Sequence, residues 1–174
     1  PPDGSIAGFD IGPGNIMLDS WAQSHQHVPF DRDGAWAASG CVVESLLAAM
    51  LAEPYFAAPP PKSTGREKFN RDWIVRFAPE RHPPADVQAT LAELTAASVA
   101  DAIARHCAAA KEILLCGGGA QNRDLARRLA ARLPGRALAD TGALGLPPQL
   151  VEAAAFAWLA RETIAGRPGN VPEV

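Results

Sequence analysis

Through about residue 109, apolar residues return every three to four positions, the interval of helices with one buried face. The chain enters this pattern through a short, mostly apolar run, Ser5 to Phe9, which ends on Asp10 and turns at Gly12-Pro13-Gly14. That reads as a strand, a glycine turn and then a helix, with Asn15 placed as the cap and Met17, Trp21 and the Ser24–His25 pair on one side. A second helix is predicted from about Gly34 to Leu51, apolar at Trp36, Val43, Leu47 and Met50, with Gly40 a weak point inside it and Pro54 marking its end. Proline and glycine make a loop of residues 57–67, in which Thr64 and Glu67 have capping-box spacing before a short helix through Phe69 and Trp73. Val87, Leu91, Leu94, Ser98, Ala102 and Ile103 then predict one long amphipathic helix from Pro84 to about Ala109.

The interval changes after that. Glu112 to Cys116 is a compact apolar run closed by Gly117-Gly118-Gly119-Ala120, and Asn122 could cap a helix through Leu125, Leu129 and Leu133. This is a second strand, glycine turn and helix. Arg136 to Ala139 reads as another short strand, Thr141 to Pro148 as a loop, and Leu150 to Ile164 as a final apolar helix carrying Phe156, Trp158 and Leu159. The fold class expected from this order is α/β and helix-rich.

Composition narrows the chemistry. The chain's 174 residues suit one domain to one and a half, and 48% hydrophobic with 20% charged residues excludes disorder as the main state. Sixteen basic residues against 19 acidic ones give a net charge of -3, so there is no electrostatic footprint for nucleic acid or an anionic membrane. The longest apolar run, Leu46 to Ala52, falls far short of the roughly 20 residues a membrane span needs, so no membrane anchor is expected. Three cysteines, Cys41, Cys107 and Cys116, lie in apolar stretches without a C-x-x-C pair, which suits a reducing compartment. The chain opens on Pro1-Pro2-Asp3-Gly4 without an initiator Met, and the expectation is that the protein begins upstream.

Two glycine turns, each leading into a helix N-terminus, offer unobstructed backbone N–H groups to an anion such as phosphate. Glycine also serves simply to make a tight turn, and both readings stand. Neither turn is a G-x-x-x-x-G-K-[ST] loop, and Gly117-Gly118-Gly119 does not complete G-x-G-x-x-G, which disfavours the two standard nucleotide folds. Asp10, at the end of a predicted strand, reads equally as a general base, a metal-holding carboxylate, or a turn aspartate bonded to its own glycine loop. Glu152, in the first turn of the last helix, reads as a charge complementing the helix dipole. His25, His27, His82 and His106 have no ligand spacing, and no metal site is assigned; no Gly-x-Ser-x-Gly elbow or Cys–His pairing supports a nucleophile.

Five stretches in order resemble one family, the anhydro-N-acetylmuramic acid kinases. They are Phe9-Asp10-Ile11-Gly12-Pro13-Gly14-Asn15 with Asp19; Pro60-Pro61-Lys62-Ser63-Thr64-Gly65-Arg66-Glu67 with Phe69-Asn70; Asp86-Val87-Gln88-Ala89-Thr90-Leu91; Cys116-Gly117-Gly118-Gly119-Ala120-Gln121-Asn122; and Glu152-Ala153-Ala154-Ala155-Phe156-Ala157-Trp158-Leu159-Ala160. The resemblance implies a cytoplasmic sugar kinase of the actin, hexokinase and Hsp70 superfamily (ribonuclease H-like), with two lobes around ATP and magnesium accompanying the nucleotide. Relatives carry a Gly-x-Met-Ser-Gly-Thr-Ser-x-Asp-Gly phosphate loop in the amino-terminal lobe. These residues contain no such loop, so residues 1–174 are expected to be the carboxyl-terminal lobe, with the amino-terminal lobe missing and self-association through the exposed face.

Carried over residue by residue, the resemblance makes Asp10 the base that activates water against the anhydro sugar, coupled to phosphorylation at position 6. Gly12, Gly14 and Asn15 would approach the phosphates, Asn15 counting among the substrate contacts. Gly117, Gly118, Gly119 and Asn122 would line the adenosine side, and Glu152 would hold sugar hydroxyls. No role follows for the Lys62 to Glu67 loop beyond capping its helix. The competing expectation is a non-catalytic nucleotide-binding module of the same superfamily.

Overall fold

The computed structural model describes residues 6–169. Its first departure from the expected pattern comes at once: residues 6–15 form no strand, and Ser5 lies outside the described residues. A strand exists only through paired backbone groups. Here Asp10 N–H donates to the Lys62 carbonyl at 3.1 Å, one bond where a ladder would need several. Helix α1 (Ile16–Gln26) follows as predicted, but Asn15 already has near-helical dihedrals and its side chain caps nothing. The amide is thereby free for other contacts.

The helix expected from Gly34 to Leu51 is two helices, α2 (Ala35–Ser39) and α3 (Glu44–Leu51), broken at Gly40. The break is a docking point. Gly40 is extended, and a Cβ there would lie 2.1 Å from the Ala85 carbonyl oxygen. Just beyond it, Cys41 N–H donates to Asp86 Oδ1 at 2.8 Å and Val43 N–H to Thr90 Oγ1 at 2.9 Å, so amides lost to the helix are satisfied elsewhere. The run ends at Leu51 as expected, and Pro54, three residues on, also opens α4 (Pro54–Ala57). The capping box of Thr64 and Glu67 does not form, and α5 (Arg71–Val75) is capped instead by Asn70, which accepts from Trp73 N–H at 3.0 Å.

Helix α6 (Pro84–His106) is the spine, ending at His106 rather than Ala109. Its first half is buried nearly all round, from Val87 to Ala92 and from Leu94 to Ser98, because helices pack on more than one side of it. One core cluster gathers Met17, Leu18, Trp21, Met50, Phe69, Trp73 and Ile74 on Val87, Leu91 and Leu94. A second joins Ala96 and Ala100 of α6 to Leu129 and Leu133, with Ile113 and Leu115 against it.

Strand β1 (Glu112–Leu115), helix α7 (Arg123–Arg132) and strand β2 (Ala137–Asp140) form a β–α–β unit. The strands run parallel, Glu112 opposite Ala137 through Leu115 opposite Asp140, as a helical crossover requires. Asn122 caps α7 as expected, its side chain accepting from Leu125 N–H at 2.9 Å. An ionic network ties α7 to α6 and α2: Arg128 donates to Asp124 at 2.6 Å and Glu93 at 2.8 Å and reaches the Ala37 carbonyl, while Arg132 donates to Glu93 at 2.6 Å. Helix α8 (Val151–Ile164) leaves Phe156, Trp158 and Ile164 exposed.

The architecture is thus helix-rich α/β with a small parallel sheet. Among the described residues no single helix is long and apolar enough to cross a membrane. Cys41, Cys107 and Cys116, expected within apolar helical or strand stretches, are exposed free thiols just outside elements.

Candidate active site

Asp10 sits on the irregular stretch before α1, where its backbone is held from two sides: its N–H by the Lys62 carbonyl and its carbonyl by Tyr55 Oη–H at 2.9 Å. Its carboxylate oxygen Oδ2 accepts from Ser63 Oγ–H at 2.7 Å and Thr64 N–H at 2.9 Å. These donors belong to the proline-rich loop, 53 and 54 residues further on, so Asp10 is not a turn aspartate serving its own glycines. The Thr64 amide, then the Ser63 hydroxyl, hold its carboxyl below the ordinary carboxylate value, against the opposing effect of burial. Asp10 remains exposed and ionised.

The lysine-containing loop therefore has a role that sequence reasoning missed. Lys62 itself turns away from the carboxylate: its Nζ donates to the Tyr55 carbonyl at 3.0 Å and lies 4.7 Å from the Tyr55 ring centre. Burial lowers its pKa, and Arg105 adds to that.

The two glycine turns meet. A Cβ on Gly119 would lie 3.1 Å from Asn15 Nδ2 and 3.4 Å from Oδ1, so the Asn15 side chain rests closely on this backbone and would have to shift by a few tenths of an ångström for a larger residue. Two hollows flank the junction. One, of about 320 Å³, is lined by Asn15, Asp19, Asp31, Asp33, Gly118 and Asn122 among others. The second, of about 330 Å³ and more apolar, has Gly14, Asn15, Thr95, Val99, Cys116, Gly118, Gly119 and Leu125 in its wall. Thr95 Oγ–H also holds the Gly14 carbonyl at 3.0 Å. Gly12 faces inward instead, with a Cβ there only 2.8 Å from the Phe56 ring. Gly117 has φ +73° and its N–H donates to the Pro148 carbonyl at 2.9 Å.

The two helix starts differ in what they leave open. In α7 the Leu125 amide is taken by Asn122, and Asp124 puts a buried carboxylate in the first turn. In α1 no side chain caps the first amides. Asp19, which sequence reasoning gave no task, reaches the first hollow. Burial raises its pKa, Arg66 opposing and Asp31 reinforcing that rise. Only its place in the Asp10–Asp19 segment signalled it.

Glu152 lies exposed in the first turn of α8; it lines neither hollow and shares no hydrogen bond with Asp10. Among the described residues no three His, Cys, Asp or Glu side chains converge as a metal site.

Comparison with known proteins places the chain. The sequence profile for anhydro-N-acetylmuramic acid kinase matches residues 1–174. An anhydro-N-acetylmuramic acid kinase of Xanthomonas campestris pv. campestris is 55% identical over 175 residues, covering 100% of this chain and 46% of the relative. The kinase of that name from Cupriavidus pinatubonensis is 54% identical over 175 residues, with 98% of this chain and 47% of the relative covered. One from Thiobacillus denitrificans is 50% identical over 177 residues, with 100% and 48% covered. The chain spans about half the length of the curated relatives it matches, and the match does not support the expectation that this half is the carboxyl-terminal one. Its ordered motifs and full-length profile match make the chain a member of the anhydro-N-acetylmuramic acid kinase family.

Proposed function

We propose that this chain supplies one lobe of a cytoplasmic, ATP-dependent kinase that opens 1,6-anhydro-N-acetylmuramic acid with water and phosphorylates the sugar at position 6, as in peptidoglycan recycling. The rest of the protein supplies the second lobe. The observation that carries this reading is the meeting of the two glycine turns at Asn15 and Gly119, on the same segment that holds the exposed Asp10 carboxylate five residues earlier. Hollows of about 320 and 330 Å³ are within the range of small-molecule sites.

The uncapped start of α1 suits the phosphates, which the turn through Gly12, Gly14 and Asn15 would receive on backbone amides. The other turn suits the adenosine side. One amide of its helix start is already taken by the Asn122 side chain, whereas no side chain caps the start of α1. Magnesium carried on the nucleotide would neutralise phosphate charge during transfer.

In this mechanism Asp10 takes a proton from the water that attacks the anomeric carbon. The anhydro bond breaks, and the oxygen at position 6 leaves the anomeric carbon with the bonding pair. That oxygen then attacks the γ-phosphate, the bond from γ-phosphorus to the bridging oxygen breaks and ADP leaves, so ring opening and phosphoryl transfer are coupled. Asp10 acts as base, the glycine turns orient the nucleotide, and Glu152 binds sugar hydroxyls.

Two substitutions in the full-length protein separate the nucleotide from the sugar. A Cβ at Gly118 would find Asn15 Nδ2 no nearer than 4.0 Å, so Gly118→Val folds but projects into the space flanking the turn. The KM for ATP should rise about tenfold or more with the sugar KM little changed. Parental ATP kinetics would make the turn purely structural. Glu152→Gln should weaken sugar binding by roughly 1 to 3 kcal/mol, read as the sugar KM or by calorimetry. A lower melting temperature with unchanged sugar affinity would return Glu152 to a helix-dipole role.

A further inference from the structure

We propose that Ser63 and the backbone amide of Thr64 form a two-donor clamp that positions Asp10, holding Oδ2 and leaving Oδ1 as the oxygen that receives the proton. Ser63 is a positioning residue, and the inference rests on the reading of Asp10 as the base.

Both clamp donors converge on Oδ2, at 2.7 and 2.9 Å, and among the described hydrogen bonds none reaches Oδ1. The backbone of Asp10 is fixed independently through its N–H to Lys62 and its carbonyl to Tyr55. A carboxylate this exposed contributes little to stability through its own contacts. Yet donors from a segment 53 residues away are ordered around it. The loop is braced at both ends: Lys62 Nζ is anchored on Tyr55, and the amides of Lys68 and Phe69 donate to the Gly65 carbonyl at 3.2 Å, with Phe69 fully buried in the core. The clamp is therefore tied to the core rather than to a free loop.

Chemically, the arrangement trades basicity for readiness. Donors on Oδ2 stabilise the carboxylate, so the base is ionised at neutral pH and loses its charge only in acid, while the two bonds oppose rotation that would exchange the two oxygens. Of the titratable or charged groups in this region, Tyr55 on α4 and Lys62 on the loop bond the Asp10 segment or its brace, while Arg105 on α6 donates to the Phe56 carbonyl at 3.3 Å and His106 lies against the Phe9 ring. Burial, then the Asp10 charge, raises the Tyr55 hydroxyl's pKa, so Tyr55 titrates on the alkaline side.

The test uses the full-length enzyme with ATP and the anhydro sugar. In Ser63→Ala, kcat should fall roughly 5- to 50-fold, the KM for ATP should stay parental, and the acidic limb of the kcat–pH profile should move to higher pH. Ser63→Thr, which keeps a hydroxyl, should restore both rate and limb. The same displacement in a His106→Gln background assigns the limb to Asp10. An unmoved acidic limb in Ser63→Ala overturns the clamp, whether the rate is parental or is lost together with the melting temperature. Asp10→Asn run in parallel distinguishes the two failures: an inactive Asp10→Asn with a parental Ser63→Ala removes only the clamp, whereas an active Asp10→Asn removes the base reading itself.

Discussion

Asp10→Asn in the full-length protein should lower turnover by about 100- to 10,000-fold, the range expected when a general base is lost, with ATP binding largely retained. The substitution preserves shape. The Asn side-chain oxygen can still accept from Ser63 and Thr64, so the stretch before α1 and its glycine turn stay in place, but no group remains to take a proton. The backbone bonds from Asp10 to Lys62 and Tyr55 do not depend on the side chain. The informative measurement is kcat alongside nucleotide affinity in the same preparation. Turnover near the parental rate would require another residue as the base and would sever the mechanism from Asp10.

Arg128→Ala should be the most destabilising of the substitutions considered, by about 2 to 4 kcal/mol in chemical denaturation. That lies somewhat below the cost of fully orphaning a buried charge, because Arg127 and Arg132 remain beside the two carboxylates. Arg128 and Asp124 retain only 8% and 2% of their side-chain exposure, and Arg128 also carries Glu93. Removing it leaves two shielded carboxylates short of a donor. Burial would raise the Glu93 pKa, but the hydrogen bonds from Arg128 and Arg132 outweigh burial and lower it. A lowered folded pKa means that this stability is fully present above the ordinary value of 4.5 and is lost as pH falls through the lower folded value. The parent should therefore lose stability in acid below about pH 4.5, and the substituted protein should show a shallower loss there. A change under about 0.5 kcal/mol would mark the network as surface decoration.

How far the site was legible depended on whether its parts were local. Asn122 announced itself as the α7 cap because a cap and the backbone N–H that donates to it lie within one turn. Asp10 was visible as a candidate carboxylate, but its partners were not, since Ser63 and Thr64 are remote in sequence and nothing in their spacing points back to Asp10. The same holds for Asn15: capping chemistry predicted a local bond, and the side chain instead lies against Gly119.

The sequence by itself determined the helix-rich α/β class, the order of most elements and the two glycine turns, because hydrophobic period, caps and glycine act over a few residues. Tertiary structure alone decided three things. Gly40 breaks a periodic helical run because α6 comes within contact distance of its backbone. The apolar run ending at Phe9 forms no strand because pairing, not composition, makes a strand. Finally, the proline-rich loop becomes part of the candidate site because α4 and Phe69 fix it over Asp10, a contact paid for by long-range packing that no local pattern encodes.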